Sequence, residues 1–157
     1  MTALTPTHYR REPHPDHTRN LFGARFTFLA DGEQTRGSYG LMDTTARHGS
    51  EPPPHVHANE DEAYFVLEGD WTFHCGDHDT DGRPGSFVFL PRGIRHHFTL
   101  HSDVGRALLI VSPAGLEACF RELSLPMSDV TQPPPLPDGP PPVDVMVGAL
   151  AAYGVQL

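Results

Sequence analysis

From residue 25 to residue 112 the chain never settles into a helical period. Short strand-forming runs follow one another, separated by turns that carry glycine or proline. Residues 25 to 28 alternate, "ADGE" reads as a turn, and Ser38 to Thr45 reads as a second strand. "AYFVLE" and "DWTFHC" form a hairpin about a "GD" turn, and "GDHDTDGRPG" reads as a polar loop. "SFVFL", "RHHFTLHS" and "GRALLIVS" continue the series. Strands at this spacing specify an all-β sandwich or barrel. The 17 prolines and 15 glycines agree with a fold made of many turns.

The pattern changes after Ser112. Leu116, Cys119, Phe120 and Leu123 fall at helical spacing, with Ser112 the expected cap and Pro113 in the first turn. "TQPPPLPDGPPP" is expected to be a polyproline-II spacer. "VDVMVGALAAYG" reads as a short helix, with Asp144 near its start and Gly154 near its end. It is apolar nearly all round and therefore has to pack on something. Residues 1–20 read as an irregular polar arm in which His8, His14 and His17 are solvated. The expected organisation is that arm over 1–20, a barrel over 21–125, and a proline-rich connector with a C-terminal helix over 126–157. The helix would pack on the barrel or on a partner subunit. A length of 157 residues suggests one domain.

Acidic residues outnumber Lys and Arg by 20 to 11, and no basic patch stands out, so nucleic acid is not an expected partner. No run of about 18 apolar residues offers a membrane span, and the first twenty residues have no apolar signal core. Two cysteines, Cys75 and Cys119, form no disulfide framework. The expected compartment is the cytoplasm.

Eleven histidines are many for this length, and their placement matters. In "SEPPPHVH" three prolines fix φ and force extended geometry. Residues two apart on an extended segment share a face. His55 and His57 therefore present two imidazoles side by side. A tight bend can return the carboxylate of Glu62, at the start of the next strand, to the same centre. Two imidazoles and a carboxylate suit Mn, Fe, Co, Ni, Cu or Zn. His96 or His97, on a neighbouring strand, can add a fourth ligand. They point to opposite faces, so both cannot bind one metal, and alternation alone does not choose between them. Glu60 and Asp61 are expected to be solvated or at a pocket rim. His78 and His101 are expected to be exposed, and His74 to take a hydrogen-bonded structural role.

Two stretches resemble the signature motifs of the cupin superfamily. The first is His55-Val-His57, four residues, Glu62, six residues, Gly69, with Gly49 six residues ahead of the histidine pair. The second is Gly85, five residues, Pro91-Arg-Gly93, two residues, His96. The family usually has Asn four residues later, where this chain has Leu100, which makes the pocket more apolar there. The resemblance implies a jelly-roll β-barrel with short C-terminal helices. It also implies one divalent transition metal per chain on His55, His57, Glu62 and His96, which favours His96 over His97.

Alternation from Glu62 points Tyr64 and Val66 inward and Phe65 and Leu67 outward, and from His96 it points Phe98 and Leu100 inward. Tyr64, Phe98 and Leu100 are the candidate substrate contacts. The stretches "PPPHVHANEDEAYFVLEG" and "FVFLPRGIRHHF", with the helical tail after "SPAGLE", are similar to small bacterial cupins of the quercetin 2,3-dioxygenase type. That likeness implies a dioxygenase acting on a flavonol-like or other enolisable aromatic substrate, with O2 as co-substrate and Glu62 as ligand and base. One alternative is a metal-dependent isomerase, cyclase or other tailoring enzyme that uses no O2. Another is a metal-dependent small-molecule binding protein without turnover. A sugar-nucleotide enzyme would want basic residues in its cavity, and these strands carry few. Apolar residues on both faces of "AYFVL" lead to an expected homodimer.

Overall fold

The computed structural model of the protein describes residues 7–139 and 142–157. Residues 1–6 of the expected arm, and Pro140 and Pro141 of the connector, lie outside that description. The chain forms strands β1 (Thr18–Leu21), β2 (Ala24–Ala30), β3 (Gly40–Arg47), β4 (Val56–His57), β5 (Asp61–Glu68) and β6 (Trp71–Cys75). Strands β7 (His78–Gly82), β8 (Phe87–Leu90), β9 (His96–Leu100), β10 (Val104–Ser112), β11 (Leu125–Pro126) and β12 (Val155–Gln156) follow. Helices α1 (Gly32–Thr35), α2 (Leu116–Leu123) and α3 (Val143–Ala152) lie between them. The strands pair as one sheet of order β11-β1-β2-β3-β10-β5-β8, a second of order β7-β6-β9, and the pair β12-β4. This is the expected all-β jelly-roll barrel with short C-terminal helices.

Alternation explains the core. Phe28, Met42, Val66, Leu109 and Val111 from the large sheet pack against Trp71, Phe73 and Leu100 from the small one, all essentially without solvent contact. Trp71 and Phe73 stack with ring centroids 5.6 Å apart. At the end of β5 the chain turns at Gly69, with φ of +94°, and crosses to the other sheet, so β5 and β6 do not form the expected hairpin. A Cβ there would lie 2.8 Å from the Gly105 backbone and 2.8 Å from Ser102 Oγ. Gly69→Ala is expected to lower stability by about 1–3 kcal/mol from conformation alone, with crowding added. The shift in urea midpoint measures it.

Several expectations change. His78–Gly82, read as a polar loop, is the edge strand β7, paired along its length with β6. Its first four side chains are exposed, so the pairing leaves no apolar signature. The turn after β2 is helix α1, closed by a capping box in which Asp31 accepts from Glu33 N–H and Gln34 accepts from Asp31 N–H. β1 begins at Thr18, inside the stretch expected to be irregular. Ser112 does not cap α2; it ends β10, and its hydroxyl donates to Ser38 O. Instead Glu117 accepts from Gly115 N–H at the start of α2 and from Gly32 N–H.

The proline-rich stretch is anchored rather than free. Arg47 donates to the carbonyls of Pro133 and Pro134, and Arg25 donates to Val130 O at 2.6 Å. Proline lacks an N–H but keeps a full acceptor, so a run of prolines offers carbonyls that no neighbouring strand competes for. These bonds tie the strap to β2 through Arg25 and to β3 through Arg47. Phe65 and Leu67 on β5, and Phe87 and Phe89 on β8, remain exposed on the same sheet, the last two at 61% and 53%.

Candidate metal centre

The extended prolines deliver His55 and His57 to the mouth of the barrel, where β4 begins. His55 and His96 exchange both backbone hydrogen bonds, N–H to O at 3.0 and 2.8 Å. Such a directly opposed antiparallel pair aligns its side chains. The ring centroids of His55, His57 and His96 lie 4.6 to 4.9 Å apart. Glu62, one residue into β5, brings its carboxylate to the same point. One ligand atom from each of the four residues lies within 4.8 Å of all the others. His97 points the other way and stacks on His74, centroids 4.3 Å apart.

Second contacts orient the rings. His55 Nδ1 bonds Pro53 O at 2.8 Å, and His96 Nδ1 bonds Ile94 O at 2.9 Å. Both nitrogens carry their proton in these bonds, which leaves each Nε2 as a lone-pair donor. His96 Nε2 is buried without a hydrogen-bond partner, as is His57 Nδ1. His96 Nε2 lies 3.2 Å from Glu62 Oε2 but is not aligned as a hydrogen bond to it. Buried polar atoms ordinarily find partners, and a divalent cation would give this nitrogen one. Three imidazoles and a carboxylate are a donor set that could hold a transition metal.

Electrostatics favour the ligating forms of His55, His57 and Glu62. Burial pushes the His57 imidazolium down to about 4 and lowers His55 as well, so both are neutral near pH 7. Burial also opposes charge on His96, but the Glu62 carboxylate beside it outweighs that and raises it. A proton and a cation therefore compete for the same nitrogen. Burial works against the Glu62 carboxylate, and the three imidazoles hold it ionised.

The rest of the surroundings sort into scaffold and wall. Arg92 clamps Asp61 through its backbone N–H, Nε and Nη2 at 2.8 to 3.1 Å, pulling that carboxyl down to about 2. The Pro91–Gly93 turn is thereby tied to the start of β5, and Gly93 N–H adds a bond to His57 O at 2.8 Å. Asp61 is thus a clamp at the rim. Glu60, also expected to be solvated or at the rim, is 5% exposed with Oε2 unpartnered. Burial and the neighbouring Glu117 raise its carboxyl. His74 bonds Asp79 and Thr99 on the outer face of the small sheet. His78 and His101 are exposed.

A cavity opens above the cluster. Tyr64 and Phe98 line it, as expected, together with Trp71, Leu109, Phe26 and Phe120. Leu100 faces inward as alternation requires but is not on the cavity wall; it packs against Trp71 and Gly105. Burial pushes the Tyr64 hydroxyl well above its usual range, aided by Glu62, so it stays a neutral donor.

Two contributions have no local signature in the sequence. Glu51 holds the loop ahead of His55 by accepting from Gly49 and Leu100 N–H. The C-terminal segment supplies Met146, Leu150, Val155 and Leu157 to the wall. Its strand β12 pairs Val155 with His57, and Gly154 O accepts from Ala58 N–H.

Comparison with known proteins points the same way. The family profile described as a cupin domain matches residues 42–112. An uncharacterised protein of Streptomyces coelicolor is 34% identical over 91 residues, which cover 58% of this chain and 81% of that protein. Quercetin 2,3-dioxygenase of Bacillus subtilis is 24% identical over 98 residues, covering 62% of this chain but only 29% of that enzyme. Among solved structures, an RmlC-like cupin from Shewanella frigidimarina superposes with a TM-score of 0.56 at 17% identity. It covers 66% of this chain and 90% of that one. Among the described residues, no helix is long and apolar enough to cross a membrane.

Proposed function

The chain belongs to the cupin family, and on that premise we propose that it is a metal-dependent dioxygenase of a flavonol-like or other enolisable aromatic substrate. The observation that carries this reading is the junction of a His55, His57, Glu62 and His96 cluster with an aromatic cavity holding one neutral hydroxyl. The partial likeness to a quercetin 2,3-dioxygenase supports it.

A divalent transition metal held by the four residues would supply Lewis acidity toward the substrate's ionised oxygen and a redox centre for O2. The chain's own residues do the rest. Glu62 accepts the proton of the enolic hydroxyl, being the carboxylate of the cluster. Tyr64 donates to a substrate oxygen. Phe98 and Trp71 flank the ring, and the apolar walls exclude water from the reacting carbons.

Metal content and oxygen consumption test the reading together. Protein loaded with one metal per chain should consume O2 with an enolisable aromatic and consume none when the metal is removed. Turnover that runs equally well under argon would replace it with the isomerase or cyclase reading. Binding without turnover would replace it with the binding-protein reading. Cys75 and Cys119 are free thiols, which fits the cytoplasm we assign to the protein.

We also propose a homodimer. α3 buries Met146 and Leu150 against its own barrel, so the tail does not cover Phe65, Leu67, Phe87 and Phe89. Burying a large apolar side chain is worth about 1.5–3 kcal/mol, which favours pairing this face with a second copy. Light scattering at micromolar concentration is expected to give twice the chain mass, and Phe87→Asp with Phe89→Asp is expected to halve it.

A further inference from the structure

The cavity wall carries almost no charge that could meet an anion. Among the described residues, its ionisable side chains besides Tyr64 are Glu51, Glu62, His55 and His57, and neither Lys nor Arg lines it. Glu51 is engaged by two backbone N–H groups. Arg92, near the cluster, is committed to Asp61. The formal charge of the chain is −9. With the metal taken up by the enolate, a further carboxylate or phosphate in this space would meet Glu51 and neither Lys nor Arg on the wall.

Size is limited as well. The cavity volume is about 160 Å3. An apolar cavity of about 150 Å3 holds a single benzene ring, whereas pockets for larger organic ligands run to about 300–1,000 Å3. Met146 and Leu150 of α3 and Val155 at β12 form one part of its wall, the C-terminal cover. That cover is hydrogen-bonded to the strand bearing His57, so it is part of the site's frame.

Resting on the reading of this cavity as the substrate site, we infer that the ligand is a single-ring enolisable compound with no second anionic group. Met146 and Leu150 exclude fused or multi-ring analogues. Of the two substrate descriptions above, the smaller enolisable aromatic is favoured and the flavonol is disfavoured.

Three probes share one 3-hydroxy-4-pyranone head and so isolate the walls from the metal. Maltol has one ring, 3-hydroxyflavone adds two more, and comenic acid is one ring with a carboxylate. Binding to the full metal-loaded chain is measured by equilibrium dialysis without oxygen, with metal content checked after each titration. Trp71, the only tryptophan and a wall residue, reports occupancy by its fluorescence. Maltol should bind at least about tenfold more tightly than either other probe, the scale on which a pocket rejects a misfit group. Leu150→Ala, and separately Met146→Ala, should improve 3-hydroxyflavone by about tenfold and leave comenic acid unimproved.

Equal affinity of wild-type protein for maltol and 3-hydroxyflavone would overturn the size limit, and equal affinity for comenic acid would overturn the charge limit. Failure of all three to bind would overturn both. The wild-type comparison stands even if a variant fails to fold. The ranking of affinities does not depend on oxygen consumption. The dioxygenase reading fails separately, if a probe that binds consumes no O2.

Discussion

His96→Ala is expected to strip the chain of its metal, while His97→Ala is expected to leave it loaded. The two neighbours sit on opposite faces of β9. His96 is 1% exposed, its Nδ1 is held by Ile94 O, and its other nitrogen faces Glu62. His97 stacks on His74 outside the barrel. Removing a residue that merely orients a ligand typically weakens metal binding about 10- to 100-fold. Removing one of four donors is expected to cost more than that. The loss at His96 should exceed this range, and the change at His97 should be within error. Elemental analysis after dialysis against a weak chelator reads both. Metal lost from His97→Ala and kept by His96→Ala would mean that the second ligand strand is assigned to the wrong face.

Glu62→Gln is expected to keep part of the metal and lose most of the turnover. The amide retains one oxygen for weak ligation but cannot take a proton. A positioned general base contributes on the order of 10² to 10⁴ in rate, and the loss should fall in that range once rates are normalised to bound metal. The three imidazoles around Glu62 hold it ionised despite its burial, so it is already in the basic form near neutral pH. A rate that survives Glu62→Gln at equal metal content would place the base elsewhere. The Tyr64 hydroxyl is a poor substitute, since burial keeps it protonated.

Local spacing made most of the site legible. His55, His57 and Glu62 lie within eight residues of sequence, and the proline run before them permits only extended backbone. Alternation then turned Tyr64 and Phe98 to the cavity wall and Val66 into the core, because one face of each strand is buried. It failed where depth mattered. Leu100 points inward, yet it fills the gap beside Gly105 under Trp71, and periodicity carries no information on depth. Glu60 looked like a solvated acid because its neighbours are polar, but α2 brings Glu117 beside it from a distant part of the chain. β7 escaped notice because an edge strand needs only its backbone to pair. The two-residue strand β12 is shorter than any period and could not be read at all.

That last strand has a consequence for the order of events in the life of the chain. The pairing of Val155 with His57 joins residues separated by most of the sequence. During synthesis, domains form from the N-terminal side as the chain emerges. All four candidate ligands are therefore outside the ribosome well before the segment that roofs them. Contacts between such distant residues close late, because the long loop between them must first be ordered. Through that interval the histidine cluster stands uncovered at an open barrel mouth, within reach of whatever cations the surroundings offer. A cation bound in that interval would meet its ligands before α3 and β12 close over them.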